Sequence, residues 1–121
     1  MLDIAPPQLA LVRQMLAQRL PGATVQAFGS RVNGWPFGRG SKTYSDLDLA
    51  IWPADGTTDL ALAELRADFE DSQLPWRVDL TLARDLPAAL ARLVQTRGVL
   101  VQPWTEVPAG SATQAEADAP S

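Results

Sequence analysis

The sequence contains neither cysteine nor histidine. Without cysteine the chain can form no disulfide bond and no thiolate metal site, which is typical of a cytosolic protein, and we expect a cytoplasmic location. Without histidine the chain lacks the commonest general base, imidazole metal ligands and Ser-His-Asp catalysis. Any chemistry must therefore use carboxylates, hydroxyls, arginine, lysine or a bound metal ion.

Long apolar runs and an excess of basic residues are also missing. No stretch reaches the roughly 18 apolar residues of a membrane span, and the N-terminal MLDIAPPQLA lacks the pattern of a secretory signal. The formal net charge of −4 argues against a general nucleic-acid-binding protein. The length of 121 residues favours one domain. We expect it to span residues 1–107, with a flexible tail at 108–121 that has no large apolar residue to pack.

The hydrophobic pattern predicts a small α/β domain. A helix is expected after Pro6, with Leu9, Val12, Leu16 and Leu20 on its core face. Strands are expected at 24–28, 46–52 and 76–82, with a helical turn at 31–33. A second helix is expected to be capped by Thr57 or Thr58. A third helix is expected at 87–98, capped by Asp85 and followed by the apolar Val99-Leu100-Val101. This order predicts a small sheet with helices mainly on one face.

Polar residues interrupt all three predicted strands or follow them. Asp46 and Asp48 lie two residues apart in the second strand, so both project from one face about 7 Å apart. Alone, such a pair is usually a solvated surface. Aspartate is disfavoured in strands, however, and two neighbouring carboxylates repel unless a cation lies between them. Magnesium accepts carboxylate oxygens, and Asp79 would join the pair if the third strand lay beside the second.

Gly29 and Ser30 follow the first strand and suit a phosphate group. Glycine allows close approach of the backbone, and Ser30 offers a hydroxyl and a backbone N–H at the start of a turn. The segment 31–42 holds three cations and no carboxylate, so Arg31 or Lys42 could neutralise a triphosphate. A solvated surface loop is the alternative interpretation of this charge.

The run AFGSRVNGWPFGRGSKTYSDLDLAI, with RVDLTL about thirty residues later, resembles the polymerase-β-type nucleotidyltransferase superfamily. Its pattern of Gly-Ser, a loop, an Asp-x-Asp strand and a later acidic residue matches Gly29, Ser30, Asp46, Asp48 and Asp79. The small size is most similar to the minimal nucleotidyltransferase branch, and the resemblance covers roughly residues 9–102. The loop before Asp46 is longer than the family usually shows. Its Trp35, Phe37 and Tyr44 could stack on a base or pack the loop, and we expect packing for one of them.

The resemblance implies a palm-like nucleotidyltransferase fold and two Mg²⁺ ions. Asp46 and Asp48 would hold the nucleotide-bound ion, all three carboxylates the second, and Asp79 would be the general base. The donor would be a nucleoside triphosphate, with ATP as the family expectation. The acceptor would be a hydroxyl on a separately encoded helical protein of the HEPN or substrate-binding class, as in a toxin–antitoxin pair. Two alternatives stay open: a non-catalytic antitoxin that occludes its partner, and the catalytic subunit of an antibiotic-type nucleotidyltransferase.

Overall fold

The computed structural model describes residues 2–36 and 46–103. Its helices and strands are α1 (Pro6–Arg19), β1 (Thr24–Phe28), β2 (Leu47–Trp52), α2 (Asp59–Glu70), β3 (Val78–Leu82), a 3-10 turn (Ala83–Asp85), α3 (Ala88–Arg97) and β4 (Val99–Gln102). Lys42, Phe37, Tyr44 and the predicted tail at 108–121 lie outside the described residues. Within the described ranges, no helix combines the length and the apolar character that crossing a membrane requires.

The strands of the described ranges form one mixed sheet in the order β3-β2-β1-β4. β1 pairs antiparallel with both β2 and β4, whereas β2 and β3 run parallel. The connection between the parallel strands contains α2, because parallel neighbours need a long crossover. The free edges of the sheet are therefore β3 on one side and β4 on the other.

The core lies on the sheet face covered by α1 and α2, which contact each other. Leu47, Leu49 and Ile51 alternate along β2, so all three project into this core and are fully buried. The helices contribute the following buried core residues: Val12, Met15, Leu16, Leu20, Leu62, Leu65 and Phe69. Leu9 is partly buried against this cluster. The predicted core face of α1 is thus confirmed.

Local signals explain most element boundaries. Pro6 and Pro7 occupy the first turn of α1, where a missing N–H is tolerated. Thr58, one of the two expected caps, accepts a hydrogen bond from the Ala61 N–H at 3.0 Å and starts α2.

Several details differ from the prediction, including the second strand, which begins at Leu47 rather than at 46. The third strand begins at Val78 rather than at 76, and residues 31–33 form a turn with an isolated bridge from Val32 to Leu2 instead of a helical turn. The expected cap at Asp85 is wrong, because Asp85 ends the 3-10 turn and Pro87 is the N-cap of α3. The apolar segment after α3 is a fourth strand, β4, paired with β1.

Candidate active site

The parallel pairing of β2 and β3 places Asp48 directly beside Asp79. Their Cα atoms are register partners, so both side chains project from the same face of the sheet. That face is opposite to the one carrying Leu47 and Leu49, which α1 and α2 cover. Asp46 lies one residue before β2 and has the same parity as Asp48. The structure therefore brings together the three carboxylates singled out in the sequence.

The electrostatics of Asp48 show that the three charges interact. Partial burial, followed by the negative charges of Asp79 and then Asp46, raises the pKa of Asp48 to about 6. A raised pKa means that the ionised form of Asp48 is unfavourable in the protein alone. A cation bound beside these carboxylates would relieve both the burial cost and the repulsion.

Gly29 holds the backbone directly against the Asp48 carboxylate. Its φ of +83° is in the left-handed region, and a Cβ at this position would lie 2.5 Å from Asp48 Oδ2. Any other residue would collide with the carboxylate, so the sequence requires glycine here for two separate reasons. The Val32 N–H donates to the Gly29 carbonyl at 3.0 Å, which closes the chain into a turn. Partly buried Ser30 lies inside this turn.

Arg31 lies beneath this corner and not out in a solvated loop. Only 5% of the residue is exposed; its Nη1 donates to the Asp3 carbonyl at 2.9 Å, and its guanidinium lies 4.7 Å from the Trp76 ring centroid. Burial lowers the pKa of Arg31, whereas the charges of Asp3 and Asp46 act in the opposite direction. The guanidinium is thus within electrostatic reach of Asp46, while its contacts anchor the Gly29–Ser30 corner.

The sequence did not indicate the part played by the N-terminal segment or by Trp76. Asp3 exchanges two hydrogen bonds with Arg31, since its N–H also donates to the Arg31 carbonyl at 2.6 Å. Trp76 packs against Arg31 immediately before β3 and so connects the corner to the strand that carries Asp79. Trp35 packs against Phe28 with ring centroids 6.1 Å apart, which confirms packing for one of the loop aromatics.

The donor set suits magnesium by its chemistry, because carboxylate oxygens are the ligands that this hard cation prefers. In the part of the chain that the structure describes, no three acidic or histidine side chains converge closely enough to surround one ion. The three carboxylates share a face and interact by charge, but their oxygens are not gathered onto a single point.

Comparison with known proteins identifies the family. Over 79 residues the chain is 49% identical to the protein named probable protein adenylyltransferase MntA of Haemophilus influenzae, a match that covers 65% of each protein. A solved structure of a protein assigned as a minimal nucleotidyltransferase superposes with a TM-score of 0.60 at 30% identity, over 77% of this chain and 88% of that one. The chain belongs to the minimal nucleotidyltransferase family. No protein-family model matches it.

A further solved structure that the chain resembles is that of a toxin–antitoxin with AMP-PNP. It superposes with a TM-score of 0.58 at 26% identity and covers 80% of this chain and 73% of that one. The family assignment confirms the predicted nucleotidyltransferase fold and the resemblance drawn from the Gly-Ser and Asp-x-Asp motifs. The chain spans just under two thirds of the curated relative that it matches.

Proposed function

We propose that this minimal nucleotidyltransferase transfers AMP from ATP to a hydroxyl on a separately encoded helical partner, as one half of a toxin–antitoxin pair. The observation that carries the proposal is the Asp48–Asp79 pair, which lies beside Asp46 and against the Gly29 backbone. A glycine corner suited to phosphate and a repelling carboxylate cluster suited to divalent cations thus lie next to each other on one sheet face.

The relatives support both the donor and the partner. The Haemophilus influenzae relative is named a protein adenylyltransferase, so its acceptor is a protein. The toxin–antitoxin structure contains AMP-PNP, an analogue of ATP. Together with the family resemblance, the toxin–antitoxin pairing of that structure supports a HEPN-type helical partner. We propose the cytoplasm, which contains ATP, as the compartment in which the pair acts.

Each residue has a distinct proposed role. Asp46 and Asp48 would hold the ion that accompanies the triphosphate, and Asp79 would complete the set for a second ion. When bound, magnesium would supply positive charge to the phosphates and to the acceptor oxygen. Gly29 and Ser30 would place their backbone N–H groups and the serine hydroxyl against the triphosphate. Lys42, which lies outside the described residues, and Arg31 would add positive charge.

The reaction is a substitution at the α-phosphorus of ATP. The acceptor oxygen forms a bond to this phosphorus, and Asp79 accepts the proton that the hydroxyl loses. The bond from the α-phosphorus to the bridging oxygen breaks, and pyrophosphate leaves with the electron pair. The neutral imidazole that many transferases use as a base is not needed, because a carboxylate beside the acceptor has the same role.

The test is incubation of the chain with ATP labelled at the α-phosphate, Mg²⁺ and the helical protein encoded beside it. We expect label on the partner with the unaltered chain, none with Asp48→Asn, and unchanged labelling with Asp55→Asn, a control in the exposed turn after β2. Asp79→Asn should retain binding of AMP-PNP but lose labelling. Wild-type labelling by Asp48→Asn would contradict the proposed site. A tight complex without label would instead indicate an antitoxin that acts by occlusion.

A further inference from the structure

Three segments that are distant in the sequence meet at the buried side chain of Arg31. Its Nη1 donates to the Asp3 carbonyl at 2.9 Å, and its guanidinium lies 4.7 Å from the centroid of the Trp76 ring. The Asp3 N–H donates back to the Arg31 carbonyl at 2.6 Å. These three residues, called the Arg31 cluster below, join the N-terminal segment and the start of β3 to the Gly29–Ser30 corner.

The Arg31 cluster lies on the core side of the corner. Trp76 is buried in the same hydrophobic cluster as Val32, and Leu2, which forms a bridge with Val32, packs against that cluster. Arg31 itself is only 5% exposed. The guanidinium therefore supports the corner from beneath, whereas the carboxylates of the candidate site project from the opposite face of the sheet.

The same cluster is connected to both strands that carry carboxylates. Trp76 and Arg77 lead directly into β3, which carries Asp79. The Leu47 N–H donates to the Arg77 carbonyl at 2.9 Å, so the starts of β2 and β3 are held together. A shift of Trp76 relative to Arg31 would therefore move the carboxylates relative to the glycine corner.

A buried positive charge at this position needs an electrostatic reason. Burial of a guanidinium is costly, and an apolar side chain of similar size would fill the same space without that cost. Burial lowers the pKa of Arg31, whereas the negative charges of Asp3 and then Asp46 raise it. Arg31 and Asp46 therefore attract each other, and this attraction holds the residue before β2 close to the corner.

We propose that Arg31 is a positioning residue for nucleotidyl transfer, which fixes the carboxylates relative to the Gly29–Ser30 corner through Trp76 and Asp46 without touching the triphosphate. The proposal rests on the transferase function proposed above. Transfer requires alignment of the α-phosphorus with the acceptor oxygen, and a misplacement of about 1 Å can reduce the rate about 100-fold. Charge attraction to the triphosphate decreases only slowly with distance, so nucleotide binding should be affected far less.

The test compares two substitutions of Arg31 in the labelling reaction with the partner protein. Arg31→Lys keeps the charge but loses the planar guanidinium that faces Trp76, and Arg31→Gln loses the charge. We expect both to reduce kcat about 10- to 100-fold, with the ATP KM and the AMP-PNP Kd within about threefold of the unaltered chain. A residue that bound the triphosphate directly would instead show a raised KM in Arg31→Gln that lysine partly restores.

Arg19→Lys is the matched control, because the Arg19 guanidinium also makes planar contacts, with Asp68 of α2 at 2.6 and 3.2 Å. It should leave kcat unchanged. Trp76→Phe retains a ring against Arg31 and should lose less activity than Trp76→Leu. The losses in Arg31→Lys and Trp76→Leu should not add in the double variant, because both remove the same contact. Arg31→Lys remains informative if Trp76→Leu unfolds.

Amide hydrogen exchange measures the corner without any turnover. The Val32 N–H donates to the Gly29 carbonyl, and the Asp3 N–H to the Arg31 carbonyl. In Arg31→Lys both amides should exchange about tenfold faster, while the amides of α2 exchange at the rate of the unaltered chain, because only the local opening becomes easier.

The outcomes that overturn the positioning role differ from a failure of the transferase function. If the unaltered chain labels its partner and both Arg31 variants keep its kcat, with or without a lower Tm, Arg31 has no positioning role and the transferase function is retained. A raised ATP KM that lysine restores would also overturn the proposal, because Arg31 would then bind the triphosphate. If the unaltered chain neither binds AMP-PNP nor transfers label, the transferase function fails and the positioning role with it.

Discussion

Asp48→Asn should make the protein more stable at neutral pH and leave its stability almost unchanged near pH 4. The folded protein raises the pKa of Asp48 to about 6 from the ordinary value of 3.8. Between these two pH values the folded chain keeps a proton on Asp48 that the unfolded chain has lost. The free energy of unfolding therefore decreases as the pH rises through this window and becomes constant above pH 6.

The size of the effect follows from the shift. At about 1.36 kcal/mol per pKa unit, ionised Asp48 costs the fold roughly 3 kcal/mol at pH 7. Because the carboxylate is only partly buried, water screens some of this repulsion, and we expect a gain of about 1 to 3 kcal/mol for the amide. For a domain of this size each kcal/mol corresponds to roughly 4–8 °C in Tm. Asparagine has nearly the same shape, so the close contact with Gly29 is retained.

The assay is thermal unfolding followed by circular dichroism from pH 4 to pH 8, with and without Mg²⁺. The Tm difference between Asp48→Asn and the unaltered chain should be near zero at pH 4 and increase to its full value by about pH 7. Asp55→Asn is the control for loss of an exposed charge and should show no such increase. Added Mg²⁺ should raise the Tm of the unaltered chain more than that of Asp48→Asn.

A stability difference that is constant over the whole pH range would refute the reasoning, because it would have to come from packing or hydrogen bonding. A destabilised Asp48→Asn at pH 7 would refute it more strongly. In that case the ionised carboxylate would already have a favourable partner, and the acidic group would not need a cation.

Three further changes test the parts of the fold that support the site. Gly29→Ala should cost about 1–3 kcal/mol of stability in denaturant unfolding and abolish partner labelling, because its Cβ would displace Asp48. Gly56→Ala is the control, since Gly56 has a similar φ of +87° but open space around it. This control should cost only about 1–2 kcal/mol and leave labelling intact. Thr58→Ala should lower the free energy of unfolding by about 1 kcal/mol through the lost cap of α2, with wild-type labelling. Gln102→Leu should cost roughly 2–3 kcal/mol in the same unfolding experiment, since its buried amide donates to two backbone carbonyls at 2.7 and 3.1 Å.

Local pattern was enough for most of the fold. The alternation in Asp46–Trp52 predicted that Leu47 and Leu49 lie on the face opposite Asp48, since successive residues of any strand point to opposite faces. The 3.6-residue period and the threonine cap likewise predicted α1 and α2. β4 was missed because Val99–Gln102 is short and apolar, and such a run has no periodicity to separate a strand from other buried segments. Asp85 failed as a cap because Pro87 begins the helix instead.

Some properties of the candidate site could likewise be predicted from local sequence, and others depend on the tertiary structure. The kinds of residue in it, and the glycine that precedes them, could be listed from local motifs, because Asp-x-Asp in a strand and Gly-Ser after one are unusual in themselves. Two properties depend on contacts between segments distant in the chain: the Asp48–Asp79 register and the burial of Arg31 against Trp76. Pairing partners and burial arise from the whole packed chain, and no local pattern encodes them. For this reason Arg31, whose sequence neighbours are typical of a solvated loop, lies almost fully buried beneath the corner that it supports.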